Sequence, residues 1–441
     1  MKYATRNVHY AWIILFLGFI ALLAAQGVRL SFGAFMAPWE HEFSASRGMI
    51  SMISFISYIV FAISQPYIGK LVDTYGVRNV LSYSMLLIGL ATLCTFFATA
   101  SWHLMLIYGV IASIGFGGAS NVVGSVAITK WFSDKRGFAL GLMSAGTAAG
   151  QLVLVPLSLL LIESFGWKET VLLLGTVLTV AVFPLLWLFL RNSPSDKDLL
   201  PYGESAADET ETLQGKKETK PLQPVSIFRL LNQKEFLFLM IPFFVCGVTT
   251  TGLMDTHLIP FAQLCGFSPG IIGTAVSLLA AFNIMGTVLS GHLSDRWSCK
   301  HILTFLYGMR ALTVCLLLVM LNDAAVLGFM IDESWLLLTF AILFGIVDFA
   351  TVAPTIKLAS EYFKHVSVGE VIGWLYLSHQ IGSALGSYIP GVLFDLSGGY
   401  DSSILFSIGL LVLAATLSFI LPAISASTLP TPSYPNAAKN G

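Results

Sequence analysis

The chain has 441 residues and a formal charge of −1, with 56% hydrophobic and only 11% charged side chains, and its mean hydropathy is +0.81. A water-soluble domain carries about 25% charge, so water is not the main solvent of this surface, and the near-neutral balance argues against a polyanionic partner such as nucleic acid. Cys94, Cys246, Cys265, Cys299 and Cys315 are odd in number, scattered and mostly within apolar runs, which gives neither a metal spacing nor a disulfide framework.

The first apolar run begins at Tyr10, is too long for a signal-peptide core and lacks a cleavage site, so a retained helix is expected. A spanning helix needs about 20 apolar residues. Six such stretches are predicted at 10–36, 48–68, 79–99, 103–129, 137–163 and 168–190. Six more follow at 235–262, 268–291, 301–321, 335–360, 367–392 and 402–423. Between the sets, SPSDKD and GESAADETETLQGKKETK are too hydrophilic to pack a core. The expected organisation is a six-helix bundle over 1–190, a flexible cytoplasmic linker over 191–234, a second six-helix bundle over 235–423 and a disordered cytoplasmic tail over 424–441. Of the 23 Lys and Arg, all but Arg29, Arg47, Lys168 and Arg310 fall on the side that holds both termini and the linker. That bias predicts cytoplasmic termini in a multi-pass protein of a plasma or bacterial inner membrane.

Gly69 to Arg78 (GKLVDTYGVR) recurs in outline at Gly291 to Lys300 (GHLSDRWSCK), 222 positions later, with Gly, Leu and Asp at the same offsets. A motif repeated at half the chain length marks two homologous halves. Phe132 to Gly150 likewise has a partner in Phe363 to Gly386, with glycines paired as Gly141/Gly150 and Gly373/Gly382 and with Gly146 and Gly386 besides. Small residues at such spacings let helices approach closely, and in a carrier such contacts could slide as the halves rock.

On these motifs the chain resembles the major facilitator superfamily, whose loop pattern G-x-L-x-D-x-x-G-x-R is matched by Gly69, Leu71, Asp73, Gly76 and Arg78. The second copy keeps Gly291, Leu293, Asp295 and Arg296 but has Ser298 for the second glycine. The resemblance implies an all-α membrane protein of twelve transmembrane helices in two pseudo-symmetric six-helix bundles. It also implies that Asp73 and Asp295 latch one conformation, with Gly69, Arg78, Gly291 and Arg296 in the same turns. Within the superfamily, Lys130 to Gly150 and Phe165-Gly166-Trp167 are similar to the monocarboxylate porter group, which includes oxalate–formate exchangers; Tyr10-Ala11-Trp12 is a weaker echo. That match places Arg29 where animal members carry a functional lysine. Their eighth-helix Asp and Arg, which handle the proton and the carboxylate, are here Asn283 and Thr287.

Charge within a bilayer is expensive, at least about 2.5–3.5 kcal/mol at a helix centre, and is a functional candidate by default. Arg29 is the leading substrate-binding residue, because its fork of donors suits a carboxylate. It keeps its proton, so it cannot carry a coupling proton. Asp255 and His257 (GLMDTHLIPF) are candidate proton carriers, since position 251 is the repeat equivalent of 29 and Asp255 approximately mirrors Arg29. An Arg29–Asp255 contact is expected to close the gate of the empty cavity. Asp348 is a third proton candidate. At a rise of about 1.5 Å per residue it falls near the midplane, as does Arg310, which invites a salt bridge with Arg310 in a structural role. Asn121, Asn283, Tyr376, His379 and Gln380 complete the substrate candidates, while Gln151 is polar with no facing assigned.

No ATP-binding loop is present; Gly115-Phe116-Gly117-Gly118 lies in an apolar helix rather than after a strand, and no cofactor or metal is expected. The sequence therefore predicts a monomeric secondary carrier, not an enzyme. It is expected to move a small organic anion, a monocarboxylate, together with a proton by alternating access. An anion exchanger and a drug or metabolite exporter on the same scaffold are the alternatives.

Overall fold

The computed structural model describes residues 9–204, 227–294, 296–321, 333–363 and 368–422. Nearly every described residue is helical, as backbone in hydrocarbon must be, since no water is there to satisfy its N–H and C=O groups. In chain order the helices are α1 (Tyr10–Glu42), α2 (Arg47–Gln65), α3 (Thr74–Thr95), α4 (Ser101–Trp131), α5 (Phe138–Phe165) and α6 (Trp167–Phe189). The second set is α7 (Lys234–Leu264), α8 (Pro269–Ser294), α9 (Cys299–Leu321) and α10 (Ser334–Tyr362), then α11 (Val368–Ser397) and α12 (Asp401–Phe419). Eleven of them are long and apolar enough to cross a membrane on length and composition. α11 is as long but carries Glu370, His379, Gln380 and a row of serines, and it completes the twelve.

Local chemistry sets the joints. The His9 ring accepts the Ala11 N–H at 3.2 Å, and Ser46 Oγ accepts the Met49 N–H at 3.3 Å at the start of α2. α2 stays helical beyond Gln65 until Gly76, where φ is +81° and the chain turns into α3. A Cβ at Gly76 would lie 2.4 Å from Asn192 Oδ1, the same oxygen that accepts the Arg78 N–H at 2.9 Å. The motif glycine is thus required twice, by its backbone and by its neighbour. Ser298, at the matching place in the second copy, has no positive φ, so that turn has no need of glycine.

Each half has a buried core of its own. With lipid outside, dispersion packing and close backbone approach take over from the hydrophobic effect as the cohesive force. Cβ atoms at Gly146 and Gly150 of α5 would lie 2.6 and 2.4 Å from the carbonyls of Phe19 and Leu23 of α1. Gly382 and Gly386 of α11 approach the carbonyls of Phe244 and Val248 of α7 in the same way, at 2.3 and 2.2 Å. These repeated glycines therefore lie inside each bundle. They join helices of the same bundle, so the contacts they make are tight packing within a half and not the contacts between halves that could slide.

The segment after α6 is docked rather than free as far as residue 204. Tyr202 N–H donates to Trp131 O at 2.8 Å, and Tyr202 O accepts from Ser133 and Asp134 N–H, both at 3.0 Å. Its ring packs on Trp12 and Phe132. The apolar anchor Tyr202, set among polar residues, is what the hydrophilic composition concealed. The proposed tail and half of the linker, 205–226, lie outside the described residues.

The packing predicts a contrast between paired glycines. Gly150→Ala, with no room for its methyl, lowers stability by about 1–3 kcal/mol. Gly141→Ala, which meets open space inside a helix, does not lower it and raises it by up to about 1 kcal/mol. The thermal denaturation midpoint of the purified protein measures both.

Candidate functional site

α6 widens over Val177–Val182, and four further helices depart from regular geometry near mid-length: α1 at Ser31, α4 at Ala119–Ser120, α7 over Val248–Met254 and α10 over Asp348–Thr351. Those four are the first helix of each successive set of three. A broken helix in a membrane is tolerated where other groups satisfy its freed carbonyls. Ser31 Oγ donates to Gly27 O at 2.8 Å, and Gln26 Nε2 donates to Ala119 O at 3.1 Å across to α4. Arg310 Nη2 donates to Val347 O at 2.6 Å and also to Asp348 O. The glycines preceding the α4 break are a packing device: a Cβ at Gly118 would fall 1.8 Å from Ser84 Oγ on α3.

Between the halves, beside these breaks, two small cavities adjoin. Arg29, Leu30, Phe32, Ser54, Ser57, Tyr58, Tyr108, Asp255 and Thr256 line the first. Leu30, Gln151, Val155, Met254, Asp255, Leu258, Ile259, Val276 and Leu279 line the second. With the open space at their mouths they span about 250 and 290 Å³, but each as it stands has room for little more than one water molecule. Both draw walls from both halves.

Arg29 stands between two rings, its guanidinium carbon 4.7 Å from the centre of Tyr58 and 4.0 Å from that of Phe61. Its buried Nη2 has no hydrogen-bond partner. Tyr58 is held in turn by donating to Thr251 O of α7 at 2.9 Å, and Tyr108 donates to Arg29 O at 2.9 Å. Asp255 faces the same cavity and feels the Arg29 charge across it. The two make no ion pair within 4 Å; instead Gln151 Nε2 of α5 donates to Asp255 Oδ1 at 3.4 Å. The expected Arg29–Asp255 gate contact is therefore absent, and the cation is left open to another anion. Tyr58, Tyr108, Ser54 and Ser57 were not singled out in the sequence. Aromatic and serine residues in an apolar helix carry no sign of which face they occupy.

The remaining candidates are elsewhere. His257 is buried and fully used: Nε2 donates to Ser387 O at 2.8 Å, because a carbonyl can only accept, so Nδ1 accepts from Tyr400 Oη at 3.0 Å. It is a structural joint of the second half, away from the cavity. Arg310 is wholly buried in the second bundle and binds the α10 carbonyls, with Cys246 Sγ 3.3 Å from Nη1. The expected Arg310–Asp348 salt bridge does not form, since the break in α10 turns the carbonyls toward the guanidinium. Asp348 Oδ2 accepts from Asn283 Nδ2 at 2.8 Å, Asn283 Oδ1 accepts from Thr287 at 3.1 Å, and Asp348 Oδ1 is unpartnered. His379 Nε2 and Gln380 Oε1 are also unpartnered, while Tyr376 is 40% exposed and lies edge-on to Phe243. Asn121 is exposed at the α4 break. None of these seven candidates, nor Arg310, lines either cavity.

Among the described residues, the polar contacts between the halves lie toward one face. On the face away from the linker, Asp395 of α11 accepts the Arg47 and Gly48 N–H groups at 3.0 and 2.7 Å, at the start of α2. Arg47 pairs with Glu40 at 2.7 Å, lies 4.0 Å over the Phe394 ring and donates to Tyr400 Oη at 3.3 Å. A Cβ at Gly33 would lie 3.0 Å from Thr256 O, and one at Gly391 would lie 2.2 Å from Ser51 Oγ. Ala34, Val155 and Leu159 of the first half are even part of the second half's core. On the linker face, Cβ atoms at Gly69, Gly141, Gly291 and Gly373 would all meet open space. Arg78 Nε there donates to Trp187 O at 3.0 Å within its own half. Arg296 is exposed. Asp295 lies outside the described residues, and Asp73 is described only in its backbone.

Twelve helices in two related bundles, closed on one face around a charged cavity, define a membrane carrier. A family model for the Major Facilitator Superfamily matches residues 14–331, and the chain belongs to that superfamily; it is a multi-pass transporter and not an enzyme. It is 26% identical to the uncharacterized MFS-type transporter YcxA of Bacillus subtilis, over 93% of this chain and 92% of the relative. It is 24% identical to monocarboxylate transporter 12 of Rattus norvegicus, over 90% and 82% of the two chains. With human monocarboxylate transporter 11 it shares 26% over 93% and 82%. Among solved structures it is similar to a bacterial homolog of the human lysosomal transporter Spinster in an inward-facing, occupied conformation. That TM-score is 0.71 at 17% identity, covering 94% of this chain and 97% of the other. The unoccupied form of the same protein gives 0.68 at 16%, with 95% and 98% covered. These likenesses establish the fold.

If Asp395 and Arg47 hold the closed face, Asp395→Ala should loosen it. Thr256→Cys, buried beneath that face, should then react at least tenfold faster with a membrane-impermeant maleimide than in the Asp395-containing parent. An unchanged rate would show that backbone packing alone closes the face.

Proposed function

We propose that the protein is a secondary active transporter that carries a small monocarboxylate with a proton by alternating access. The single observation behind this is Arg29, a permanent cation braced by two rings in the cavity between the halves, with a buried donor left unpartnered. A carboxylate is the ligand that such a fork of donors fits. The printed names of the monocarboxylate transporter relatives support the same class.

Asp255 supplies the proton site. With the cavity empty, the Asp255 carboxylate balances the Arg29 charge in a poorly hydrated space. When a second anion settles on Arg29, that balance is restored if Asp255 takes up a proton, so substrate and proton enter together. Asp348 is the second proton candidate, because Asn283 occupies one of its oxygens and the other is unpartnered. The eighth-helix acid of the resembling group is then replaced here by an acid on α10.

The two bundles, 1–190 and 235–423, are the rocking bodies, with 191–234 joining them in the cytoplasm and both termini on that side. The conformation described is then inward-facing, its outer face shut by Asp395, Arg47 and Glu40. The open space at Gly69, Gly141, Gly291 and Gly373 is room that the opposite state fills when the inner face closes. Gly69, Asp73 and Arg78, with Gly291, Asp295 and Arg296, belong to that latch.

Two variants test the assignment in proteoliposomes. Arg29→Gln should reduce carboxylate uptake at least tenfold; uptake at the parental rate would rule out the anion site. Asp255→Asn should abolish uptake driven by a pH gradient while leaving carboxylate exchange. If the pH-driven component survives, the proton travels elsewhere, and Asp348→Asn is the next variant.

A further inference from the structure

We propose that the second cavity reads the substrate's tail, so that the carrier selects monocarboxylates with an unsubstituted aliphatic chain over hydroxy acids and dicarboxylates. This rests on Arg29 as the carboxylate site. The two cavities share Leu30 and Asp255, so a molecule held by its carboxylate on Arg29 can continue past Asp255 into the second space.

The two spaces differ in chemistry. Beside Arg29 the walls offer hydroxyls from Ser54, Ser57, Tyr108 and Thr256. Beyond Asp255 they are Val155, Leu258, Ile259, Val276 and Leu279 with Met254, all at most 6% exposed. The only polar side chains in that second lining, Gln151 and Asp255, already bond to one another. Gln151 Nε2 keeps one further N–H, so a hydroxyl or second carboxylate beyond its reach, among Val155, Leu258, Ile259, Val276 and Leu279, finds no side-chain donor and loses its water without replacement. A methyl or methylene loses nothing, and each one buried multiplies affinity by about fourfold.

The walls also come from both halves, Val155 from α5 and the others from α7 and α8. A tail that fills the space touches both bundles, and a bare carboxylate such as acetate touches fewer of their side chains. Chain recognition and the joining of the halves are thereby the same event.

The test is binding to the full-length protein in nanodiscs, with competition for uptake in proteoliposomes, using acetate, propionate, isovalerate, lactate and succinate. Isovalerate should bind at least tenfold more tightly than acetate, lactate more weakly than propionate, and succinate should not compete. Leu279→Ala, which deepens the space, should raise the ratio of hexanoate to isovalerate affinity. A flat series from acetate to isovalerate that still depends on Arg29 overturns the tail assignment alone. Binding that persists equally in Arg29→Gln, or no carboxylate binding at all, overturns both the tail assignment and the anion site beneath it. Should Leu279→Ala prove unstable, the wild-type series decides by itself.

Discussion

A guanidinium keeps its proton at any working pH, so wherever the fold places Arg29 inside the membrane its surroundings must offset a permanent charge. Left bare at a helix centre it would cost at least about 2.5–3.5 kcal/mol. Two ring faces, from Tyr58 and Phe61, and the more distant Asp255 provide part of that compensation without consuming the guanidinium's donors. The contrast with Arg310 is instructive. That guanidinium is spent on two backbone carbonyls and a cysteine sulfur, and it repairs the break in α10. Arg310 is structural because both its Nη groups are used, with only Nε left unpartnered; Arg29 lines the cavity with its Nη2 unpartnered.

Two of the irregular helices supply the site. α1, α4, α7 and α10 each depart from regular geometry near mid-length, and of these α1 and α7 bring Arg29 and Asp255 to the cavity between the halves. The freed carbonyls are then met from inside the protein, by Gln26, Ser31 and Arg310. Around this irregular centre the remaining contacts are of two kinds. Glycine-lined crossings, α1 on α5 and α7 on α11, make each half rigid. Among the described residues, contacts between the halves are extensive, α2 on α11 and α5 on α8, and on the face away from the linker they include a carboxylate capping a helix N-terminus, Asp395 on Arg47 and Gly48.

Much of the fold was legible in the sequence because hydrocarbon allows so few structures. Long apolar runs, the repeated turn at Gly69 and Gly291 and the distribution of Lys and Arg were enough for twelve helices and two related halves. The helix breaks were not legible. Ser31 and Asp348 look like ordinary polar residues in helices, and only their partners, Ser158 on one side and Arg310 on the other, reveal the irregularity. The 222-residue offset led to Arg29 and Asp255 in one cavity, because the pseudo-symmetry brings α1 and α7 together. The same ruler could not say that the two would stay unpaired, nor that His257, two residues on, would face Ser387 and Tyr400 instead. Facing on a helix changes by about 100° per residue, and a sequence of nearly uniform hydrophobicity leaves that angle unmarked. The same ambiguity hid Tyr58 and Tyr108 among the other aromatic residues of α2 and α4.

The central claim is that a carboxylate on Arg29 obliges Asp255 to take a proton. Calorimetric titration of the protein with a bound carboxylate, in two buffers of different ionisation enthalpy, counts that proton directly through linkage. About one proton should be taken up per carboxylate bound by the wild-type protein, and none by Asp255→Asn, under conditions where Asp255 begins ionised. Tight carboxylate binding by the wild-type protein under those conditions with no proton uptake would contradict the account.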